Sequence, residues 1–356
     1  MNISRNPDWA NAAKRLEAFW QNEIIDRPCV QIYAPAPAED YAGLEPLPPR
    51  DYETQWNDPE TFCGNFRFGY MHGRCLGEAL PVLYPNWCGV QEMLGAQLQY
   101  DAGGTIWVHP TVESILDVDP DAMRMDHPSV TALLDKLAYC AEHTAGEAFI
   151  GLPPMGNAGD TLAMTCGYGN LCIDLIENPE KVLAAEAKMT AFWKKMYDAV
   201  YNTINRYSQG SCGWLPSWHP RRSVLLEFDF CALISPEMFK MYLPQLLERA
   251  SHGEKCIYHL DGPDALTHLD TLLAQKEIHA IQWEPGIACT NILEWIPLMQ
   301  KIQAAGKGLY VAGGRYSPEA CLELLKNLKP EGLIVPVSVP SLEEGERFLE
   351  TVRRMY

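Results

Sequence analysis

No stretch of 18 consecutive apolar residues occurs in this 356-residue chain, so nothing in the sequence reads as a membrane-spanning helix. No Cys-x-x-Cys pair exists among the 12 cysteines, which run from Cys29 to Cys321. That spacing fits reduced core residues better than a disulfide frame. Gly-x-Gly-x-x-Gly after a strand and the Walker loop are both missing, so neither dinucleotide nor triphosphate binding is signalled. Basic stripes are missing too. With 28 Lys and Arg against 46 Asp and Glu, the formal charge is −18, which excludes nucleic acid as a partner and disfavours polyanionic substrates. Low-complexity tracts and repeats are absent, and the polar, amphipathic start MNISRNPDWANAAKRLEAFW lacks an apolar signal core, so a cytoplasmic protein is expected.

What is present is alternation. Apolar runs at Cys29–Tyr33, Ala79–Asn86, Ala148–Leu152, Ser223–Phe228, Cys256–Tyr258, Ala280–Trp283, Gly308–Ala312 and Gly332–Val337 predict strands. Helical patterns separate most of them, opened by Asn178-Pro179, by Ser235-Pro236 and by the capping box Ser341…Glu344. A hairpin is expected around Asp101-Ala102-Gly103-Gly104. From residue 140 onward five or six strands alternate with helices, which predicts an α/β fold of the (β/α)8 TIM-barrel kind. It is read as a single domain over 1–356, with residues 1–75 forming an N-terminal helical extension and the first strand. An open doubly wound sheet is the structural alternative.

The chemistry concentrates at the ends of predicted strands. His259 and Asp261 are two apart on an extended segment, so their side chains share a face. Glu284 ends the next strand at the equivalent position, and Glu227 and Asp229 end the strand before. A His with convergent carboxylates can ligate a metal, orient a partner or move a proton. The bland readings are that Asp261 caps the helix near Pro263, that Glu284 is a solvated loop carboxylate, and that Glu227 and Asp229 form a solvated edge. Asn86 and Trp87 end the second strand, and Trp218, Tyr258 and Trp283 also lie beside strand ends. These are core aromatics or, if several line one pocket beside carboxylates, the walls of a site for a cationic or methylated ligand. His219 reads as an ordinary loop histidine, and Cys321, inside a helical pattern, as core.

The segments Phe228-Asp229-Phe230…Ile234-Ser235-Pro236-Glu237-Met238-Phe239, Tyr258-His259-Leu260-Asp261-Gly262 and Pro336-Val337-Ser338-Val339 resemble the superfamily of uroporphyrinogen decarboxylase and the corrinoid-dependent methyltransferases. The likeness covers most of residues 80–356 and implies a barrel with its site at the C-terminal mouth. The decarboxylase branch grips eight substrate carboxylates with an Arg-rich segment, whereas Cys29–Ala36 here holds no arginine. The methyltransferase branch binds zinc through His-x-Cys and a later Cys. Here Asp261 replaces that cysteine, and Leu333–Val339 contains none. The resemblance therefore implies a divergent methyltransferase. It would move a methyl group between a small methoxy compound or methylated amine and a corrinoid carried by a partner protein, since the chain has no Asp-x-His-x-x-Gly loop of its own. His259, Asp261 and Glu284 are the expected zinc ligands, with Asp229 beside them as a further catalytic group. Asn86, Trp87, Glu227, Trp218, Tyr258 and Trp283 are the expected substrate contacts. The alternatives are decarboxylation of a small acid, with Arg315 or Arg221-Arg222 supplying the cation, and a non-catalytic binding barrel.

Overall fold

Strand β1 (Cys29–Pro35) sits inside the central sheet, and Pro28 separates it from helix α1 (Trp9–Trp20). The computed structural model describes residues 5–48, 51–101 and 105–356. Helices α2 (Tyr52–Asn57) and α3 (Pro59–Met71) open on the carboxylates of Asp51 and Asp58, each accepting from a backbone N–H three residues on. Strand β2 (Gly73–Gly77) then returns antiparallel along β1. Next come strand β3 (Val82–Leu83), helix α4 (Gly89–Met93) and the antiparallel pair β4 (Gln97–Tyr100) and β5 (Ile106–His109). That pair flanks the expected hairpin turn, of which residues 102–104 lie outside the described residues. Helix α5 (Pro128–His143), strand β6 (Phe149–Ile150) and helices α6 (Asp160–Cys166), α7 (Tyr168–Glu177) and α8 (Pro179–Ile204) complete the first half.

The second half alternates without interruption. Strand β7 (Ser223–Leu226) leads to α9 (Pro236–Ala250), β8 (Lys255–Asp261) to α10 (Leu269–Leu273), and β9 (Ala280–Glu284) to α11 (Ile296–Ala304). Strand β10 (Gly308–Val311) leads to α12 (Pro318–Asn327), and β11 (Leu333–Ser338) to α13 (Leu342–Met355). The seven-stranded sheet runs β2-β1-β11-β10-β9-β8-β7 and is parallel except for β2. Strands β3 and β6 pair with each other in parallel as a separate two-stranded sheet.

The chain is thus an α/β protein with a mostly parallel central sheet. The expected barrel is matched in its alternation but not in a continuous ring: among the described residues, hydrogen bonding does not close the strands into a barrel. Proline explains part of the gap. Pro81, Pro85, Pro153 and Pro154 flank β3 and β6 and lack the N–H a longer ladder needs, so two residues pair in each strand where five to eight were expected. The backbone bond from Leu152 N to Cys212 O, 2.8 Å, links the end of β6 to the segment entering β7.

Both faces of the sheet are buried, as parallel sheets require. Tyr258, Leu260, Ile281, Trp283, Val311, Val335 and Val337 face the surrounding helices. The alternate residues Cys29, Ile257, Ala280, Tyr310 and Ile334 face inward, with Leu80, Phe149 and Cys212, onto Trp9, Leu16, Phe19 and Trp20 of α1. Helix α1 therefore plugs one end of the inner face, and the polar residues further along the same strands face the other end. No helix among the described residues is long and apolar enough to cross a membrane.

Candidate metal centre and its cavity

On β8 the inward positions are Ile257, His259 and Asp261: the first is sealed under α1, the second is buried and the third is at the mouth. Gly262 follows with φ +77°, a left-handed value open to glycine, and turns the chain away. Gly262 is also the cap of the next 3-10 turn, which has no side-chain cap bond, so Asp261 is not a helix cap. Its Oδ2 lies 3.9 Å from His259 Nε2. Asp229, at the start of the 3-10 turn after β7, completes a group with one ligand atom from each residue. These atoms all lie within 4.8 Å of one another.

Asp229, His259 and Asp261 form a group able to hold a metal ion. Ligand atoms on one tetrahedral zinc at roughly 2.0–2.2 Å stand about 3.3–3.6 Å apart. The 3.9 Å pair lies within a few tenths of an ångström of that spacing, and Asp229, which is exposed, would draw in toward the ion on binding. The tautomer fits as well. Gln282 Oε1 accepts a hydrogen bond from His259 Nδ1, which leaves the lone pair on Nε2, the nitrogen nearest Asp261. The edge of Trp214 packs on the His259 ring at 5.0 Å and 84°. One nitrogen and two carboxylates are a borderline-to-hard donor set, which accepts zinc and does not require thiolate.

Glu284 is not in this group. It pairs across the β8–β9 register with Asp261, but its carboxylate is held by Arg315, whose guanidinium bonds both oxygens and Gly286 O. The three-ligand set expected from the sequence therefore changes one member, Asp229 standing where Glu284 was expected.

A cavity of about 530 Å3 is formed by residues that follow β3, β6 and β7 together with α6 and the β4–β5 pair; Asp229, His259 and Asp261 do not line it, and Glu227 and Asp160 connect the two. Asn86, Trp87 and Glu227, three of the expected substrate contacts, line it. Tyr84, Trp107 and Tyr168 add aromatic walls, and Asp160 adds a second carboxylate. Glu227 joins cavity and metal group: Asn157 Nδ2 donates to it at 2.6 Å, and so does the Trp214 indole that packs on His259. Asp160 accepts from the backbone N–H groups of Phe230 at 2.6 Å and Asp229 at 3.1 Å, fixing the turn that carries Asp229. Gly159, at φ +60°, makes this contact feasible, because a Cβ there would stand 2.2 Å from the Phe228 ring.

The other three expected contacts lie elsewhere. Tyr258 and Trp283 alternate with the inward residues and are buried on the helix side, Trp283 against Trp295 at 4.9 Å. Trp218 packs against Trp9 at 5.2 Å in the plug, beside His219. Of the residues that complete the site, Gln282, Trp214, Asn157 and Asp160 were not singled out in the sequence. Only Gln282 carried a usable signal, two residues before Glu284 on a predicted strand.

Burial raises Asp261 above the ordinary carboxylate range. His259 opposes that rise, while Asp229 and Glu284 add to it. Burial likewise raises Glu227 and, far more, Asp160. Such carboxylates keep a proton at higher pH than a solvated one, the property a general acid needs. A scan of the chain against protein-family models matches none, and a search of curated proteins finds no match.

Proposed function

We propose that this chain is a metal-dependent methyltransferase. It moves a methyl group between a small methylated compound and a corrinoid on a partner protein, and it is built on a (β/α)8-like arrangement to which β3 and β6 contribute as a separate parallel pair. The observation that carries the proposal is the convergence of Asp229, His259 and Asp261 at the C-terminal strand ends, connected through Glu227 and Asp160 to a cavity of about 530 Å3. That is where parallel α/β folds place their chemistry. The resemblance of the Phe228–Phe239 and Tyr258–Gly262 segments to corrinoid-dependent methyltransferases supports the reaction class.

Asp229, His259 and Asp261 would hold the zinc ion. When bound, the ion supplies a Lewis acid for the charge that develops on a heteroatom as its methyl group leaves. Gln282 orients His259 and keeps its lone pair available. Trp87 and Asn86 position the small molecule in the cavity, and Glu227 links it to the metal group through Trp214.

The decarboxylase reading has less support. Among the described residues no Lys, Arg or His lines the cavity, and the cations available to it are engaged elsewhere: Arg315 with Glu284, Arg221 with Glu254 and Arg222 with Asp198. A non-catalytic barrel would tie His259 and Asp261 to backbone; His259 instead bonds the Gln282 side chain. The direct assay is methyl transfer to added cob(I)alamin by zinc-loaded protein, screened over methoxy and methylated-amine donors. Turnover with one donor, lost in His259→Ala, is the expected result. No turnover with any donor would sink the proposal.

A further inference from the structure

The lining of the 530 Å3 cavity is lopsided in charge. Glu227 and Asp160 contribute two carboxylates, the described lining residues contribute no cation, and the hydrogen-bond donors those carboxylates have found are all neutral: Asn157, Trp214 and two backbone N–H groups. Neutral donors satisfy oxygen lone pairs but bring no positive charge into the cavity. Around the same space stand Tyr84, Trp87, Trp107 and Tyr168, with Ile106 and Met164 between them. Trp87 is buried in the wall, whereas Trp107 and Tyr168 are 54% and 43% exposed and form the rim.

Aromatic faces attract a cation through their quadrupole, and they favour one whose charge is spread over methyl groups, because that ion gives up little hydration on entry. We propose that the cavity binds a methylated ammonium cation with a neutral remainder, the trimethylammonium head lying among Trp87, Tyr84 and Tyr168 on the side of Glu227. A carboxylate on the same ligand would find no cation in the described lining, so zwitterions are disfavoured. This names the substrate class of the proposed methyltransferase and rests on that reading only in sharing its cavity. Binding itself requires neither metal nor turnover.

The test is calorimetric titration of the full chain, metal-loaded and chelator-treated, with three probes: choline, its neutral carbon isostere 3,3-dimethylbutan-1-ol, and glycine betaine. Choline is expected to bind both forms, roughly tenfold or more tighter than either other probe. Glu227→Gln should remove the preference over the isostere. Trp107→Ala, at the exposed rim and harmless to the core, should weaken choline several-fold. Equal or tighter binding of the neutral isostere or of betaine overturns the proposal, as does choline affinity indifferent to both substitutions. The two readings can fail separately. Choline binding without methyl transfer from any donor overturns the catalytic reading alone, and methyl transfer from a neutral methoxy donor without choline binding overturns this one alone.

Discussion

His259 is useful to an ion only while its other nitrogen is occupied, and Gln282 occupies it. Removing Gln282 should therefore act through His259. Gln282→Leu is expected to weaken metal binding by about 10–100-fold while leaving the fold intact, and saturating metal should restore turnover. Chelator competition measures the first effect and assay at high metal the second; turnover that stays low at saturating metal would give Gln282 a different role. His259→Ala and Asp261→Ala should each abolish turnover and metal content with Tm moved by no more than roughly 2 °C, since Asp261 caps no helix. At this scale the sequence disclosed what period two discloses: His259 and Asp261 share a face because two residues separate them on a strand. It could not disclose that Arg315, 31 residues beyond Glu284, would take that carboxylate out of the group. Nor could it place Trp214 against His259, for that contact depends on how the loop before β7 folds back.

Among elements, α1 bears most directly on stability. Trp9, Leu16, Phe19 and Trp20 fill the inner end of the sheet, where a cavity could not collapse. Trp9→Ala is expected to cost about 3–5 kcal/mol in denaturant unfolding, with metal retention per folded molecule unchanged because the Asp229–His259–Asp261 group lies at the other end of the strands. His219 makes the same end sensitive to acid. It lies against Trp20, and burial lowers its pKa from 6.5 to about 4. The folded state thus prefers the neutral ring. Its stabilisation is complete above pH 6.5, declines as the unfolded state takes up a proton below that pH, and is lost by about pH 4. Melting curves across this window should show a fall in Tm that His219→Gln reduces; an unchanged slope would mean other groups set the acid limit. Helices were legible from their caps, as at Ser235, whose Oγ accepts from Met238 N at 3.2 Å, and at Ser341, which does the same for Glu344. Strand β2 was not legible, because it follows an aromatic helix with no break stronger than Gly73.

For the whole molecule, the −18 charge and the acidic cavity point the same way, toward cationic rather than anionic ligands. The alternation of strand and helix was legible because each parallel strand is a short apolar run ending in polar residues. Closure was not, because it depends on ladders that prolines around β3 and β6 interrupt. The central claim is that three side chains from two strand ends act together on one ion, and metal stoichiometry tests it most directly. Protein loaded with zinc and passed through gel filtration should retain about one equivalent per chain, whereas Asp229→Asn, His259→Ala and Asp261→Asn should each retain far less. Wild-type protein that retains no zinc, or variants that retain as much as wild type, would contradict the account.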